Sequence, residues 1–167
     1  MNRRRLAIAV VALAVIGPIG GLLWFKSRLE ARLSQRPEVG MVFPTLPGLA
    51  DGESLPASPN RLRVVTFARA GCGNCDRTIA TFRRLAADSE LDFDLIAVVA
   101  GSTAEERIEG IRHTIADSDA SISRRFGVVH VPLVFLVDGN SRIQAVATGE
   151  RPETAWRSFL GIEGDAR

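Results

Sequence analysis

The only two cysteines of the chain, Cys72 and Cys75, are separated by two residues in the order Cys-Gly-Asn-Cys. They follow an apolar run at 63–68 and precede residues with the apolar spacing of a helix. Two thiols one helical turn apart can close a short disulfide. A thiolate at a helix N-terminus is stabilised by unpaired N–H groups and by the helix dipole. The pair therefore predicts reversible thiol-disulfide chemistry.

The segments around the cysteines follow the order of a layered α/β domain. We predict strands over 61–68, 93–99, 133–137 and 142–147, and helices over 75–87, 103–116, 121–126 and from 151–153 onwards. Asp138-Gly139-Asn140 separates the last two strands as a hairpin turn does. Such an order builds a mixed sheet covered by helices, and it places the cysteines at the carboxyl end of their strand, where α/β folds hold their sites.

The N-terminal part of the chain has a different character. Residues 6–25 carry no charge and follow three arginines, and at about 1.5 Å per residue they reach roughly 30 Å, the thickness of a bilayer core. We predict a basic N-terminus (1–5), one transmembrane helix (6–25), a juxtamembrane linker (26–37) and a single domain (38–167). A cleaved signal peptide is the alternative, although no small-x-small cleavage site follows the apolar run.

The distribution of charge and cysteine bears on partners and compartment. Residues 37–167 carry fourteen basic and eighteen acidic residues, a net charge of −4, so composition gives no argument for a nucleic-acid partner. Positive charges flank both ends of the apolar segment, so the charge rule leaves its orientation undecided. A lone Cys-x-x-Cys pair suits an oxidising compartment, because no third thiol can mispair. We expect a single-pass protein of the bacterial inner membrane with its domain in the periplasm.

Four blocks of sequence resemble the thioredoxin fold, and within it the membrane-anchored TlpA/ResA-type disulfide reductases of bacterial envelopes. They are Gly40, Pro44, Asp51-Gly52 and Leu55; Phe67 with Cys72-Gly73-Asn74-Cys75; Phe126-Gly127-Val128 with Val131-Pro132 and the run 133–139; and Gly149. The resemblance covers about residues 38–160. It implies an α/β thioredoxin-like fold with an N-terminal β-hairpin extension, and a cis Pro132 that faces the disulfide.

The active-site segment departs from the family's pattern on either side of the first cysteine. Gly71 stands where the family usually has Trp, and Asn74 stands where it usually has Pro. The two residues between the cysteines tune the redox potential, so Gly73-Asn74 leaves the strength of this couple open.

The buried acids of the family are also replaced. The acid of thioredoxins falls at Thr66, and the glutamate of ResA-like proteins falls at Thr78. The group that accepts the proton of Cys75 is therefore unassigned. Asp76 is adjacent in sequence, but the direction of the helix can point its carboxylate to solvent.

We assign Cys72 as the nucleophile and Cys75 as the resolving thiol, because Cys72 lies at the helix start and Cys75 lies one turn inside. Following the resemblance, Pro132 is expected to present the backbone of Val131 to a substrate strand and to keep metals from the thiols. The resemblance further implies a monomeric reductase without a cofactor. It would take electrons from a membrane dithiol donor and reduce an oxidised client, such as apocytochrome c or a copper-site protein.

Other interpretations of the same residues stay open. A MauD-type relative would serve the maturation of one disulfide-rich enzyme, and an isomerase or oxidant would use the same cysteines in another direction. A permanent disulfide is disfavoured, because so short a loop constrains the unfolded chain little. A non-catalytic copper-binding chaperone would have only His113 and His130 as further soft ligands. The separations of these ligands fit no zinc-finger or zinc-ribbon pattern, and a copper chaperone like the Sco proteins would need a Cys-x-x-x-Cys pair, which is one residue longer, so we expect no metal.

Overall fold

The computed structural model describes residues 18, 20–22, 24–30, 36–47, 61–87, 92–103, 108, 111 and 113–162. From residue 61 onwards, the described chain forms β1 (Leu62–Arg69), α1 (Gly73–Ala87), β2 (Phe93–Ala100), β3 (His113–Asp117), α2 (Ser121–Arg125), β4 (Leu133–Val137), β5 (Ile143–Thr148) and α3 (Glu153–Phe159). Apart from β3, these bounds agree with the predicted elements to within a few residues.

The strands form one mixed sheet in the order β3-β2-β1-β4-β5. The strand that leads to the cysteines, β1, lies at its centre, parallel to β2 on one side and antiparallel to β4 on the other. Residues 63–68 of β1 are all buried. A strand buried on both faces is expected to be apolar and β-branched rather than alternating, as this one is. The central position fixes the end of β1, from which the active-site segment emerges.

The two faces of the sheet have separate cores. On one face, Phe67 and Phe135 pack with Phe43 and Phe126, with ring centroids 5.0–5.9 Å apart. The opposite face is covered by α1 and α3, whose Phe82 and Trp156 rings lie 4.8 Å apart. The even-numbered residues of β1 from 64 to 68 face α1, because Val64 and Ala68 belong to the clusters that contain α1 residues. Packing of α1 on this face holds the cysteines over the end of β1.

The helix predicted over 103–116 is wrong at its C-terminal end, where residues 113–117 form the edge strand β3. Ile108, Ile111 and Ile115 have helical spacing, but the first two pack in the cluster around Cys75 while Ile115 packs in the core on the other side of the sheet. Parallel pairing with β2 overrides the local pattern. His113, which we expected on a solvated helix, is half-buried in this strand. The beginning of the predicted helix lies mostly outside the described residues.

Residues 40–43 run along the start of β5. Val42 pairs antiparallel with Arg142, and backbone hydrogen bonds of 2.8 and 2.9 Å join Ile143 to Gly40 and Met41. Burial of the Phe43 side chain fixes the segment to the core. The remainder of the predicted N-terminal hairpin, at 48–60, lies outside the described residues.

The predicted transmembrane segment, 6–25, also lies largely outside the described residues. Residues 24–30 are helical, and the Arg28 guanidinium lies 4.8 Å from the centre of the Trp24 ring. Within the described part of the chain, no helix combines the length and the apolar character needed to cross a membrane. The anchor, the linker and the domain boundaries stay predictions.

Candidate functional site

Cys72 and Cys75 form a disulfide at the start of α1, with their Cα atoms 5.2 Å apart. Cys72 directly precedes the first helical residue and is half-buried, whereas Cys75 is 0% exposed. The outer sulfur is therefore the one that another molecule can reach. The order assigned from the sequence, in which Cys72 attacks and Cys75 resolves, requires such a difference in exposure, and the assignment itself stays a prediction.

A tight turn carries the chain from β1 into α1. Gly71 has a φ of +72°, a left-handed conformation that strains residues with side chains, so Gly is favoured here over the family's usual Trp. The carbonyl of Cys72 then accepts hydrogen bonds from the N–H groups of Cys75 and Asp76 at 2.9 and 3.1 Å. The N–H of Cys75 also donates to Cys72 Sγ at 3.3 Å. A thiolate on Cys72 would keep this donor and the positive end of the helix dipole, both of which favour the charged form.

The loop before β4 supplies the second side of the site. The Val131–Pro132 peptide bond is cis, as the resemblance implies. Val131 is half-buried and packs against the cluster formed by Cys75 and its neighbours, which include Ala68 of β1. The carbonyl of Pro132 accepts a 2.8 Å hydrogen bond from the N–H of Gly149. The fold thus brings Val131 and the cysteines together although they are distant in sequence.

Comparison with known proteins bears on the fold. No protein-family model matches the chain, and no curated relative matches it. Solved structures do match. The thioredoxin domain of a thiol-disulfide oxidoreductase from Bacteroides vulgatus is 20% identical, with a TM-score of 0.52, over 74% of this chain and 99% of that chain. DsbF of Mycobacterium tuberculosis is 19% identical, with a TM-score of 0.52, over 66% and 84%.

This chain has a thioredoxin-like fold. A protein of Chlorobium tepidum, provisionally assigned as the thiol:disulfide interchange protein DsbE, matches it equally well in structure. It is 22% identical, with a TM-score of 0.52, over 64% of this chain and 82% of that chain. The Bacteroides and Chlorobium proteins are described as a thiol-disulfide oxidoreductase and a thiol:disulfide interchange protein, and at such identities the comparison concerns the fold.

The thioredoxin-like domain has a side-chain bridge at its site that the sequence did not reveal. Arg77 of α1 donates to both carboxylate oxygens of Glu150, at 2.7 and 2.9 Å, and to Asn74 Oδ1 at 2.5 Å. The hydrogen bond raises the pKa of Arg77 and lowers the pKa of Glu150. No local sequence signal could have paired Arg77 with Glu150, because they are 73 positions apart.

A groove of about 250 Å³ lies beside the cysteines of the thioredoxin-like domain. It is lined by Ala68, Arg69, Ala70, Gly71, Asp76, Ile79, Val99, Ser102 and Ile108. A larger cavity of about 550 Å³ involves residues 36–39, Arg151 and the end of β5. Neither cysteine lines either of the two spaces. We associate the chemistry with the smaller groove, because two of its lining residues directly precede Cys72.

Within the described residues, no buried carboxylate shares the α1 face with Cys75. Asp76 is exposed. Asp94 pairs with Arg61, and Asp117 accepts hydrogen bonds from backbone N–H groups at the start of α2. Both extend from the face of the sheet opposite α1, as strand alternation requires. None of the described carboxylates is therefore placed to accept the proton of Cys75.

The two histidines considered for a metal site lie in different parts of the domain. His130 is exposed in the loop before β4, and His113 is half-buried in the edge strand β3. Among the described residues, no group of three or more His, Cys, Asp or Glu side chains is arranged to hold a metal ion.

Proposed function

We propose that this chain is a thiol-disulfide oxidoreductase of the bacterial envelope that reduces disulfides in a specific client protein. The observation that carries the proposal is the Cys72–Cys75 disulfide at the start of α1, with one accessible and one fully buried sulfur. Val131, beside a cis Pro132, packs next to that pair. A permanent structural disulfide would not require this difference in exposure between the two cysteines.

The exchange begins with the reduced protein. The Cys72 thiolate attacks one sulfur of the client's disulfide, and the other client sulfur leaves as a thiolate. Cys75 loses its proton and attacks Cys72 Sγ, so that the Cys72–Cys75 bond forms while the mixed disulfide breaks. The client receives two electrons, and the protein ends in the oxidised form that the structure describes.

Positioning of the client is the task of the loop before β4. We assign the backbone of Val131 to contact an extended client segment, because an exposed backbone next to a strand can pair with an added strand. Pro132 would keep that backbone beside the sulfurs and keep metals from the thiols. Val131 packs in the cluster that contains Cys75, which supports this role.

Electrons would come from a membrane dithiol donor, since the sequence contains no nicotinamide or flavin fingerprint. The apolar segment 6–25 would hold the domain at the periplasmic side of the inner membrane as a single-pass anchor. A client in cytochrome c or metalloenzyme maturation follows from the TlpA/ResA resemblance. The proposal also includes a monomeric state and no nucleic-acid partner.

Substitution of each cysteine tests the assignment. With a disulfide-bonded reporter peptide and a reductant that recycles the protein, Cys72→Ser is expected to abolish turnover. Cys75→Ser is expected to retain the first step and accumulate a mixed disulfide at Cys72, which mass spectrometry detects. Full reductase activity in Cys72→Ser would contradict the proposal.

A further inference from the structure

Two threonine hydroxyls are buried between β1 and α1. Thr66 is 0% exposed and Thr78 is 1% exposed, and neither Oγ1 has a hydrogen-bond partner within the described residues. Buried polar atoms without a partner are uncommon in folded proteins, so each calls for a physical reason. Thr81, three residues after Thr78 in α1, shows the usual arrangement, in which the hydroxyl donates to a backbone carbonyl of its own helix, here that of Arg77 at 3.0 Å. Thr78 makes no such bond to its own helix.

Both hydroxyls lie on the side of the sheet that holds Cys75. Thr78 follows Cys75 by three residues, and the two are buried on the same face of α1. Side chains with this spacing are neighbours on a helix surface. Thr66 shares its strand face with Ala68, which packs in the same cluster as Cys75. The hydroxyls therefore lie on the buried face of α1 and β1 that also holds Cys75.

Among the described residues, the charged groups on the elements around Cys75 point elsewhere. On α1, Asp76 is exposed and Arg77 is paired with Glu150. Arg69 at the end of β1 and His130 before Val131 are exposed.

The remaining charged residues on the strands extend from the opposite face. Arg63 of β1 donates to the carbonyl of Asp138, and Asp94 of β2 pairs with Arg61. Ile108 and Ile111, the two described residues of 104–112, also pack against the cluster that contains Cys75.

We propose that the Thr78 hydroxyl, with Thr66 next to it, donates a hydrogen bond to the Cys75 thiolate during the resolving step. The inference rests on the proposed function. The Cys75 thiol gives its proton to water, and the thiolate attacks Cys72 Sγ. The Cys72–Cys75 bond then forms, and the client sulfur leaves with the electron pair of the broken mixed disulfide. A hydroxyl stabilises the thiolate but does not hold the released proton at neutral pH, so it acts differently from a buried carboxylate.

The hydrogen bond has a measurable effect on pH dependence. A donor to a charged acceptor favours the charged form, so its loss raises the pKa of the Cys75 thiol by about one unit. Below that pKa the thiolate fraction falls about tenfold, while the more basic thiolate becomes about threefold more nucleophilic. The resolving step then slows about threefold at low pH and is not slowed at high pH.

Ellman's reagent separates the two steps in the reduced, full-length protein. The first chromophore is released when Cys72 attacks the reagent, and the second when Cys75 attacks the mixed disulfide on Cys72. Stopped-flow measurement of both phases as a function of pH compares the natural protein with Thr78→Val, Thr78→Ser and Thr81→Val. Valine keeps the shape of threonine without its hydroxyl, and Thr81, which is half-buried and donates to the carbonyl of Arg77, is the control on the same helix.

Thr78→Val is expected to leave the first phase unchanged and to move the pH midpoint of the second phase up by about one unit. Thr78→Ser restores the original midpoint, and Thr81→Val does not change it. An unchanged pH profile of the second phase in Thr78→Val, or a Thr78→Ser variant that behaves like Thr78→Val, overturns the inference while the proposed function stands.

Absence of the first phase in the natural protein contradicts the proposed function itself. If Thr78→Val does not fold, Thr66→Val provides the same comparison, with a smaller upward shift expected and no shift overturning the inference.

Discussion

Glu150 accepts two hydrogen bonds from the guanidinium of Arg77, at 2.7 and 2.9 Å. Arg77 belongs to the helix that begins at the cysteines, and Glu150 follows Gly149, whose N–H is bonded to the carbonyl of Pro132. The bridge therefore connects the active-site helix with the loop proposed to hold the client. It also neutralises a cation near Cys72, since Arg77 Nη1 lies 3.6 Å from the position that a Cβ on Gly73 would take.

The substitution Glu150→Gln is expected to lower the pKa of the Cys72 thiol and to make the reduction potential of the Cys72–Cys75 couple less negative. The unpaired Arg77 cation then stabilises the Cys72 thiolate of the reduced protein. A disulfide whose reduced form is stabilised is more easily reduced and is therefore a stronger oxidant. Alkylation rate against pH gives the pKa, and equilibration with dithiothreitol gives the potential. The shift should shrink as salt is added, because the charges are exposed.

Glu153→Gln is the control for that substitution. Glu153 makes its ion pairs with Arg84 and Arg157, so the variant removes the same charge without releasing Arg77. Equal shifts of the potential in the two variants would show that net charge, rather than the Arg77 bridge, governs the couple.

The bridge also predicts a titration. The hydrogen bond from Arg77 lowers the pKa of Glu150 below the ordinary glutamate value of 4.5. A carboxyl whose pKa is depressed on folding contributes stability above its unfolded pKa and loses it as pH falls through the folded value. The bridge is therefore intact at neutral pH and opens only in acid below about pH 4.5. Carbon-detected NMR should show the Glu150 carboxyl titrating nearer 4.5 in Arg77→Gln; the same midpoint in both proteins would refute the pairing in solution.

The glycines on either side of Cys72 should respond to alanine with opposite signs. Gly71 has a φ of +72° and no atom within 4 Å of an added Cβ, so Gly71→Ala is expected to lower the free energy of unfolding by about 1–2 kcal/mol through backbone strain. Gly73 opens α1 without a positive φ, and its added Cβ meets only the end of Arg77. Gly73→Ala should therefore raise the free energy of unfolding by up to about 1 kcal/mol. Urea unfolding of the oxidised proteins measures both changes in the free energy of unfolding. A destabilised Gly73→Ala variant beside an unaffected Gly71→Ala variant would contradict this account of the turn.

The sequence was sufficient for the parts of the fold that repeat a strong local pattern. The apolar run before Cys72 predicted a central strand, and Asp138-Gly139-Asn140 predicted the hairpin between β4 and β5. The different burial of Cys72 and Cys75 followed from their places at the helix start. Each of these features is decided within a few residues, so one sequence contains the necessary signal.

The parts that the sequence did not predict depend on distant contacts. β3 exists because β2 offers it a parallel edge, whereas the spacing of Ile108, Ile111 and Ile115 alone favoured a helix. The pairing of Arg77 with Glu150 depends on how α1 and the end of β5 meet. The sequence indicates only that Thr78 stands where ResA-like proteins have a glutamate. Its burial and its unpartnered hydroxyl depend on the packing of α1 against the sheet. Such features arise from tertiary packing, which local periodicity does not encode.

The reduction potential of the Cys72–Cys75 couple tests the central proposal most directly. The full-length protein in detergent would be equilibrated against glutathione or dithiothreitol buffers of defined ratio, and its free thiols counted by alkylation. A dedicated reductase predicts a value near or below the roughly −270 mV of thioredoxin. A value near the roughly −120 mV of a strong periplasmic oxidant would contradict it and make the protein a donor of disulfides.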